Sequence, residues 1–227
     1  MVGDFRVDLH AALIGRGSQG YVRKSTNINT DQAAAAKEIV CDDRVRRSEQ
    51  YTRLLTELKV WKKLSHPFLV EFFHADYVDN FLYLVFQYCE QGSLNDFISS
   101  NELSMELRKR FMWELSDVVH YLHQENIMHR DIKPDNILIK TDSSGHHHIR
   151  LADLGLIKEL PDAMREVTAS FAGTVKWMAP EVYQASRGGP TRYSSKADVF
   201  STGLVFHSII TYNNQERLQP ITGQLLH

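Results

Sequence analysis

The sequence predicts an α+β fold of two unequal lobes: a small antiparallel β lobe with one helix over residues 8–88, and a larger, mostly helical lobe over residues 89–227. Two observations predict this division. Short apolar or alternating runs dominate the first part, as in strands, whereas long amphipathic stretches dominate the second, as in helices. A chain of 227 residues is also long enough to bury a sizeable core as one large domain or two lobes.

The small lobe consists mainly of predicted strands. Aromatic and β-branched residues concentrate there in short runs, which is typical of strands. One helix is predicted over residues 49–64, because Leu54, Leu58 and Trp61 recur at helical spacing. The predicted strands cover residues 9–14, 21–25, 33–40, 68–77 and 81–87.

The large lobe shows the longer period of helices. Helices are predicted over residues 93–98 and 104–124, and the second carries an apolar face that should pack on a core. That face consists of Phe111, Leu115, Val118, Val119 and Leu122. Residues 197–210 are apolar nearly all round, which predicts a buried helix.

A hairpin is predicted after the long helix. Short strands surround residues 137–152, and the polar stretch 141–148, which contains Gly145, marks the tip. Three consecutive histidines at 146–148 allow a metal site or a solvated loop. Adjacent residues of a strand point to opposite faces and are poorly placed to share one ion, which favours the loop. Residues 154–178 show no period and should be irregular.

Composition argues against several classes of protein. The net charge of −2 does not suit a nucleic-acid-binding surface. No apolar run approaches the roughly 20 residues that cross a bilayer, and the N-terminus has neither a signal-peptide core nor a myristoylation pattern. Two cysteines, Cys41 and Cys89, are too few for a disulfide framework. We therefore expect a cytoplasmic or nuclear protein.

Residues 129–136, His-Arg-Asp-Ile-Lys-Pro-Asp-Asn, carry the strongest chemical signal. They place a candidate general base (Asp131), a cation (Lys133) and a potential metal-ligand amide (Asn136) in one short loop before a predicted strand. A charged surface turn is the alternative. The segment resembles the catalytic loop of a eukaryotic-type protein kinase. The lysine two residues after the aspartate, Lys133, resembles the pattern of the serine/threonine branch of that family.

A glycine-rich stretch near the N-terminus supports the same resemblance. Gly15, Gly17, Gly20 and Val22 fit the family's G-x-G-x-x-G-x-V pattern. Glycines let the backbone approach phosphate and turn sharply. A Rossmann fold uses the same glycine spacing, and a tight hairpin is a further alternative. Its expected place between two strands, rather than at the start of a helix, favours the kinase pattern.

Lys37 follows a run of alanines on a predicted strand and, taken alone, would be a solvent-facing residue. The resemblance implies instead that it holds the α- and β-phosphates of ATP. Glu57, nine residues before His66-Pro67, lies where the family places the glutamate that pairs with this lysine. Leu54 and Trp61 would bury that helix face, so that the carboxylate points inward.

Residues 82–93 resemble the family's last small-lobe strand and its hinge. Phe86 would be the gatekeeper, and its bulk implies a small back pocket; a plain core strand is the alternative. The Gln87 carbonyl and the Cys89 backbone would hydrogen-bond adenine. The nucleotide-binding residues that the resemblance implies are Ile14, Gly15, Gly17, Gly20, Val22, Ala35, Lys37, Gln87, Cys89 and Leu138.

The segment Asp153-Leu154-Gly155 resembles the D-F-G motif of the family, with leucine in place of phenylalanine. In isolation it would be an ordinary turn. The resemblance implies that Asp153 and Asn136 are the ligands of Mg²⁺. Leucine is apolar and can still pack beneath the helix that bears Glu57. The expected stack consists of Trp61, Phe72, His129 and Leu154.

Residues 173–181 resemble the end of a kinase activation segment, which closes with Ala-Pro-Glu. The resemblance implies that an upstream kinase phosphorylates Ser170 or Thr168, and that Arg130 binds the phosphate. Asp198 matches the start of the family's central buried helix, and the resemblance implies that its carboxylate caps the backbone of the catalytic loop; a buried charge needs such partners.

The combined motifs imply a protein serine/threonine kinase that uses ATP and Mg²⁺ and acts on a protein hydroxyl, with Asp131 as the base. Two alternatives stay open. The Leu154 substitution and the short second lobe lend some weight to a pseudokinase or scaffold, but a degenerate enzyme commonly loses one of the catalytic residues, and all are present: Lys37, Glu57, Asp131, Asn136 and Asp153. A small-molecule phosphotransferase generally lacks the long segment that ends in Ala-Pro-Glu. Kinase domains usually continue for several helices after the buried one, and residues 213–227 have room for at most one short helix. The second lobe is therefore expected to be truncated.

Overall fold

The computed structural model describes residues 1–8, 13–17, 20–42, 45, 49–153, 158–159, 167–168, 175–186 and 192–212. The chain divides into two compact units. Met1–Ser65 and Val70–Cys89 form the first, and His66–Leu69 and Glu90–His227 form the second. Among the described helices, none is both long enough and apolar enough to cross a membrane.

The first unit is an antiparallel sheet with a helix on one face. Its elements are β1 (Phe5–Val7), β2 (Leu13–Gly17), β3 (Gly20–Asn27), β4 (Ala33–Val40), α1 (Glu49–Trp61), β5 (Phe72–Val78) and β6 (Phe81–Gln87). The hydrogen-bonded order is β1-β3-β4-β6-β5, and β2 also pairs with β3. All of these pairings are antiparallel.

The sheet buries a small core on each face, because successive side chains of a strand point in opposite directions. The core on the β1 side contains Val2, Phe5, Ala34, Ala36, Tyr83 and Val85. The core beside α1 contains Ile39, Cys41, Leu58, Leu82 and Leu84. Phe5 of β1 thus shares a core with the small alanines of β4.

Strand β1 was not predicted from the sequence. It has three residues, too few to show a period, and its partners are distant in the chain. Phe5 pairs with Asn27 of β3 and its ring stacks on Phe73 at 5.8 Å. Tertiary packing, rather than local pattern, makes this segment a strand.

The strand predicted over residues 68–77 begins later, at Phe72. The preceding residues form a turn in which the Phe68 N–H donates to His66 Nδ1 at 3.2 Å. Phe68 also meets Trp113 edge to face at 5.7 Å, within the second unit. The start of the aromatic run, with Phe68, therefore belongs to the second unit and the strand from Phe72 to the first. Periodicity alone does not reveal this division.

The second unit is mostly helical and adds short antiparallel ribbons. Its elements are α2 (Leu94–Ser100), α3 (Met105–Gln124), β7 (Ile127–Met128), β8 (Ile137–Thr141), β9 (His147–Leu151), β10 (Lys158–Glu159), β11 (Val167–Thr168), α4 (Pro180–Ser186), β12 (Arg192–Tyr193) and α5 (Lys196–Thr211). Single 3-10 turns cover Pro134–Asn136 and Val175–Trp177. The paired strands are β8 with β9, β7 with β10, and β11 with β12. Ser93 and Ser104 cap α2 and α3, as serine side chains do at helix N-termini. The predicted α+β architecture is confirmed.

The apolar face predicted for α3 is confirmed. All five of its predicted core residues are buried, and the helix packs against β9 and α5. The all-round burial predicted for α5 is wrong. Ala197, Val205 and Ile209 are buried, but Val199 and Ile210 are 59% and 48% exposed, because α5 is covered on one face.

The predicted hairpin is confirmed, with Gly145 at its tip in a left-handed conformation (φ +83°). The solvated-loop interpretation holds for His146 but is wrong for the next two histidines. His147 meets Phe97 at 4.9 Å, ring to ring. His148 Nδ1 lies 2.6 Å from a carboxylate oxygen of Glu114. These two residues belong to β9, and both are partly buried.

The segment predicted to be irregular, residues 154–178, contains two strands of two residues each in its described part, β10 and β11. Their partners are distant, since Lys158 pairs with Met128 and Thr168 with Arg192. Strands of this length are fixed by their partners and leave no period in the sequence. Most of this segment lies outside the described residues.

Candidate active site

The loop that follows β7 gathers three polar side chains around one carboxylate. Lys133 Nζ lies 2.7 Å from Asp131 Oδ2, and the two side chains are 18% and 11% exposed. Asn136 Nδ2 donates to the same oxygen at 2.9 Å and to the Asp131 carbonyl at 2.8 Å. The residues predicted as base, cation and amide are therefore in mutual contact.

Asp198, in the first turn of α5, holds the backbone of this loop. Its Oδ2 accepts the His129 N–H and its Oδ1 accepts the Arg130 N–H, each at 2.8 Å, and the side chain is 2% exposed. His123 Nε2 lies 3.0 Å from Oδ2. Arg130 has a φ of +72°, which is uncommon for a residue with a side chain. The predicted capping role of Asp198 is confirmed.

The two predicted metal ligands lie on segments that are hydrogen-bonded to each other. The Ala152 N–H donates to the Asn136 carbonyl at 2.8 Å, and His129 Nε2 lies 3.0 Å from the Ala152 carbonyl. Asp153 follows, half-buried, with a φ of +58°. Asn136 directs its amide nitrogen toward Asp131, so Oδ1 is the atom that would serve as a metal ligand. Amide and carboxylate oxygens suit Mg²⁺.

The glycine-rich stretch lies on β2 and β3, as predicted between two strands. Gly15 pairs with Val22 and Gly17 with Gly20. Gly20 has a φ of +157°, and a Cβ there would lie 1.9 Å from the Glu38 carbonyl oxygen. That position therefore requires glycine. Residues 18–19, at the turn itself, lie outside the described residues.

Lys37 lies in the middle of β4, opposite Val22 and Leu84. Its neighbour Ala36 is buried on the β1 side, so strand alternation places Lys37 on the face that carries α1. Glu57 belongs to α1, but its side chain lies outside the described residues. The ion pair between Lys37 and Glu57 stays a prediction.

The hinge strand β6 ends in an aromatic cluster. The Phe86 ring lies 4.7 Å from Trp61 and 5.4 Å from Phe72, and the last two rings are 6.4 Å apart. Two members of the predicted stack are thus adjacent in the first unit. His129 is fully buried in the second unit, and Leu154 lies outside the described residues.

The backbone that would bind adenine follows directly. The Gln87 N–H donates to the Glu71 carbonyl at 2.8 Å, and Cys89 is buried. The other predicted nucleotide-binding residues of the first unit lie on neighbouring strands. Ile14, Gly15 and Gly17 are on β2, Gly20 and Val22 on β3, and Ala35 and Lys37 on β4.

In the second unit the residues after the hinge are tied to β8, which carries Leu138. Ser93 and Leu138 form a β-bridge, and a Glu90 carboxylate oxygen accepts the Thr141 N–H at 2.6 Å. Burial alone would raise the pKa of Glu90, but this hydrogen bond and the nearby charge of Lys140 outweigh it, and the pKa is lowered. Leu138 is thereby fixed relative to the chain that follows Cys89.

The structure describes only part of the segment that was predicted to be the activation segment. Ala179 is buried, and Glu181 is exposed in the first turn of α4. Thr168 belongs to β11 and pairs with Arg192. Leu154, Gly155, Ser170 and Gly173 lie outside the described residues.

Sequence reasoning missed two residues of this region. His123 contacts Asp198, and its signal was the buried carboxylate's need for donors. Glu114 is 1% exposed on α3. It lies three residues after Phe111 and four before Val118, so a charge interrupting the apolar stripe was the available signal.

Comparison with known proteins agrees with this geometry. The family model described as protein kinase domain matches residues 10–219. Serine/threonine-protein kinase pakG of Dictyostelium discoideum is 31% identical over 201 residues, which cover 88% of this chain and 16% of the relative. A probable serine/threonine-protein kinase of the same organism is 34% identical over 199 residues, 87% of this chain and 41% of the relative.

A third relative, serine/threonine-protein kinase pak-2 of Caenorhabditis elegans, is 28% identical over 197 residues, 87% of this chain and 35% of the relative. The chain thus spans between 16% and 41% of the length of these three relatives. The catalytic-loop cluster, the α+β fold and the match over residues 10–219 lead to one assignment. The chain belongs to the eukaryotic protein kinase superfamily, on its serine/threonine branch.

Proposed function

We propose that this chain transfers the γ-phosphoryl group of ATP to a serine or threonine hydroxyl of a protein substrate. The cluster around Asp131 carries the proposal, because Lys133 and Asn136 both contact one carboxylate oxygen, at 2.7 and 2.9 Å. Phosphoryl transfer depends on positioning and charge neutralisation more than on covalent chemistry. A carboxylate and a cation in such a fixed arrangement supply both.

In this proposal Asp131 orients the substrate hydroxyl and accepts its proton as the oxygen attacks the γ-phosphorus. The bond to the bridging oxygen breaks, and ADP leaves with the electron pair. Lys133 lies beside the carboxylate and neutralises charge on the transferred phosphoryl group. The hydrogen bonds from the backbone of residues 129–130 to Asp198 keep the loop in place throughout.

Asn136 and Asp153 would hold Mg²⁺ through an amide and a carboxylate oxygen. When bound, the ion neutralises charge on the phosphate oxygens. Among the described residues, no group of three or more acidic, histidine or cysteine side chains could hold a metal ion. Mg²⁺ commonly takes its remaining ligands from substrate phosphates and water.

The nucleotide would be held mainly by the first unit. Lys37, paired with Glu57, would hold the α- and β-phosphates. Gly20, where the Glu38 carbonyl leaves no room for a side chain, would let the backbone come close to them. The Gln87 carbonyl and the Cys89 backbone would bind adenine. The remaining contacts are assigned to Ile14, Gly15, Gly17, Val22, Ala35 and, from the second unit, Leu138.

We also propose that an upstream kinase regulates the chain at Ser170 or Thr168. The phosphate would bind Arg130, whose backbone N–H is held by Asp198. Replacing both residues by alanine should lower activity, and unchanged kinetics would contradict the idea. A cytoplasmic or nuclear location is proposed because the sequence has only two cysteines, Cys41 and Cys89, too few for a disulfide framework.

The decisive experiment is a transfer assay with Mg-ATP and a generic basic protein substrate. Asp131→Asn should lower the rate by about 10²- to 10⁴-fold, the usual contribution of a general base. Lys37→Met should also abolish transfer, whereas Lys59→Met, at an exposed lysine of α1, should leave it unchanged. Full activity of either site variant would overturn the residue assignment.

A thermal shift with Mg-ATP separates binding from catalysis. The unaltered chain should gain stability with nucleotide because a ligand of the folded state shifts the unfolding equilibrium. Stabilisation without any transfer would replace the enzyme by a nucleotide-binding scaffold.

A further inference from the structure

Helices α3 and α5 are joined by polar contacts at both of their ends. Near the C-terminus of α3, His123 contacts Asp198 in the first turn of α5. Near the N-terminus of α3, Arg108 contacts the carbonyls of Ile209 and Ile210 in the last turn of α5. The two helices are therefore antiparallel.

The Arg108 guanidinium donates three hydrogen bonds at its end of the pair. Nη1 donates to the carbonyls of Ile209 and Ile210, the second at 2.9 Å, and Nε donates to the Leu103 carbonyl at 3.1 Å. The last carbonyls of a helix have no partner within the helix. Since α5 has no basic residue in its own last turn, Arg108 supplies both the donors and a cation at the negative end of the helix dipole.

Apolar packing alone does not fix how far one helix slides along another. The buried face of α3 and residues Val205 and Ile209 of α5 provide non-directional contacts. Hydrogen bonds are directional and weaken steeply with misalignment. Directional contacts at its two ends therefore restrain the axial position of α5, together with one nearer its middle, where Ser201 Oγ donates to the Trp177 carbonyl at 2.6 Å.

The N-terminal end of α5, opposite the end that Arg108 contacts, carries Asp198 and therefore contacts the catalytic loop. Asp198 and Ile210 are 12 residues apart, about 18 Å along a helix that rises 1.5 Å per residue. A helix transmits an axial shift along its whole length. The bonds from Asp198 to the N–H groups of His129 and Arg130 are both 2.8 Å long, so a shift of about 1 Å would break their geometry.

We propose that Arg108 is a positioning residue for phosphoryl transfer. By holding the last carbonyls of α5, it sets the axial position of the helix and hence the position of the Asp198 carboxylate against the catalytic loop. The side chain contacts no proposed substrate or cofactor ligand and acts through Asp198. This inference rests on the proposed kinase activity, and one arm of its test needs no activity.

The test compares Arg108→Gln with Arg108→Lys and with the control Lys109→Gln, a neighbouring exposed cation. All are assayed well below the temperature at which they unfold. Arg108→Gln should lower kcat by about 10- to 100-fold, since a misplacement of about 1 Å can have an effect of that size. Its KM for ATP should stay within about twofold, because nucleotide contacts are unaltered. Lysine, which keeps the charge but lacks the planar fork, should restore kcat only in part.

Amide hydrogen exchange supplies the arm that is independent of activity. In Arg108→Gln the amides of His129 and Arg130 should exchange at least tenfold faster than in the unaltered chain, whereas Lys109→Gln should leave them unchanged. A structural role confined to stability would leave kcat per folded molecule unaltered and would speed the exchange of all globally protected amides alike, and that result overturns the proposal. If Arg108→Gln does not fold, kcat and the exchange of the His129 and Arg130 amides are compared between Arg108→Lys and Lys109→Gln, and the same outcomes support or overturn the proposal. If the unaltered chain transfers no phosphate, the proposed function fails, and the amide exchange still tests the positioning.

Discussion

His123 Nε2 lies 3.0 Å from Asp198 Oδ2, an oxygen that also accepts the His129 N–H at 2.8 Å. The other carboxylate oxygen accepts the Arg130 N–H. One buried carboxylate thus joins the end of α3, the start of α5 and the backbone of the catalytic loop. A charge that is 2% exposed is tolerated there because two backbone N–H groups and a histidine ring nitrogen lie within hydrogen-bonding distance of it.

Replacing Asp198 by Asn should destabilise the chain strongly. An asparagine keeps the shape but turns one acceptor oxygen into an NH₂ donor, so one of the two backbone N–H groups loses its partner. We expect the free energy of unfolding to fall by about 2–3 kcal/mol, the usual effect of an unsatisfied buried donor. Urea unfolding followed by circular dichroism measures it.

The matched control is Asp31→Asn, an exposed position with a φ of +55° that asparagine tolerates equally well. Its free energy of unfolding should change by less than about 0.5 kcal/mol. Equal losses in the two variants would show that the Asp198 hydrogen bonds contribute nothing specific.

Replacing Lys133 by Met should separate catalysis from binding. Lys133 contacts Asp131 at 2.7 Å and is proposed to stabilise charge on the transferred group. Its loss should lower kcat by about 10²- to 10³-fold, as for other preorganised charge donors, with the KM for ATP nearly unchanged. Steady-state kinetics measures both.

Lys140→Met is the control for this prediction. Lys140 also pairs with a carboxylate, Glu90, but at 3.4 Å and with a third of its side chain exposed. Its replacement should leave kcat within about twofold, because exposed pairs contribute little. A comparable drop in both variants would mean that any lost ion pair slows the chain, and the assignment of Lys133 would fail.

The turn after α1 should weaken in acid because of His66. The Nδ1 atom accepts the Phe68 N–H at 3.2 Å, Nε2 lies 3.4 Å from Asp117 Oδ2, and the ring stacks on Tyr121 at 4.9 Å. Burial lowers the pKa of His66 more than the Asp117 carboxylate raises it. Protonation of Nδ1 would also remove the acceptor of the Phe68 N–H.

The sign of the pH dependence follows from that direction. The unfolded chain binds the proton more tightly, so the stability that His66 contributes is present above the unfolded pKa of about 6.5 and is lost as the pH falls below it. Between about pH 7.5 and pH 5.5, the free energy of unfolding should fall more for the unaltered chain than for His66→Asn, whose amide oxygen accepts without titrating. Urea unfolding at both pH values measures the difference, and equal pH slopes in the two chains would refute this role.

The sequence predicted those parts of the fold that repeat or alternate. The five-residue apolar face of α3 and strands β4 and β6 follow from local periods. Strand β1 and the short strands β10 and β11 do not, because their partners lie far away in the chain. Periodicity also assigned Phe68 to a strand that in fact begins at Phe72. The apolar run does not show that Phe68 packs in the second unit, whereas the strand belongs to the first.

The candidate site divides in the same way. Motif order predicted the contacts among Asp131, Lys133 and Asn136, because these residues share one short loop. The resemblance at the start of α5 predicted the capping role of Asp198, but not the further contact from His123. A histidine at the end of an amphipathic helix has no distinctive pattern, and only the antiparallel packing of α3 on α5 brings it to the carboxylate.

Glu114 offers a test of how a charge within an apolar face is tolerated. One carboxylate oxygen accepts the Ile149 N–H at 2.9 Å, and the other lies 2.6 Å from His148 Nδ1. In Glu114→Gln the amide oxygen can still accept from Ile149 and the NH₂ group can donate to a neutral His148, so the free energy of unfolding should fall by about 1 kcal/mol. Glu114→Leu leaves the Ile149 N–H buried without a partner and should cost about 2–3 kcal/mol, despite the gain in apolar surface. Urea unfolding of the two variants decides: a leucine variant as stable as the glutamine variant would show that packing, and not the hydrogen bonds, holds α3 to the hairpin.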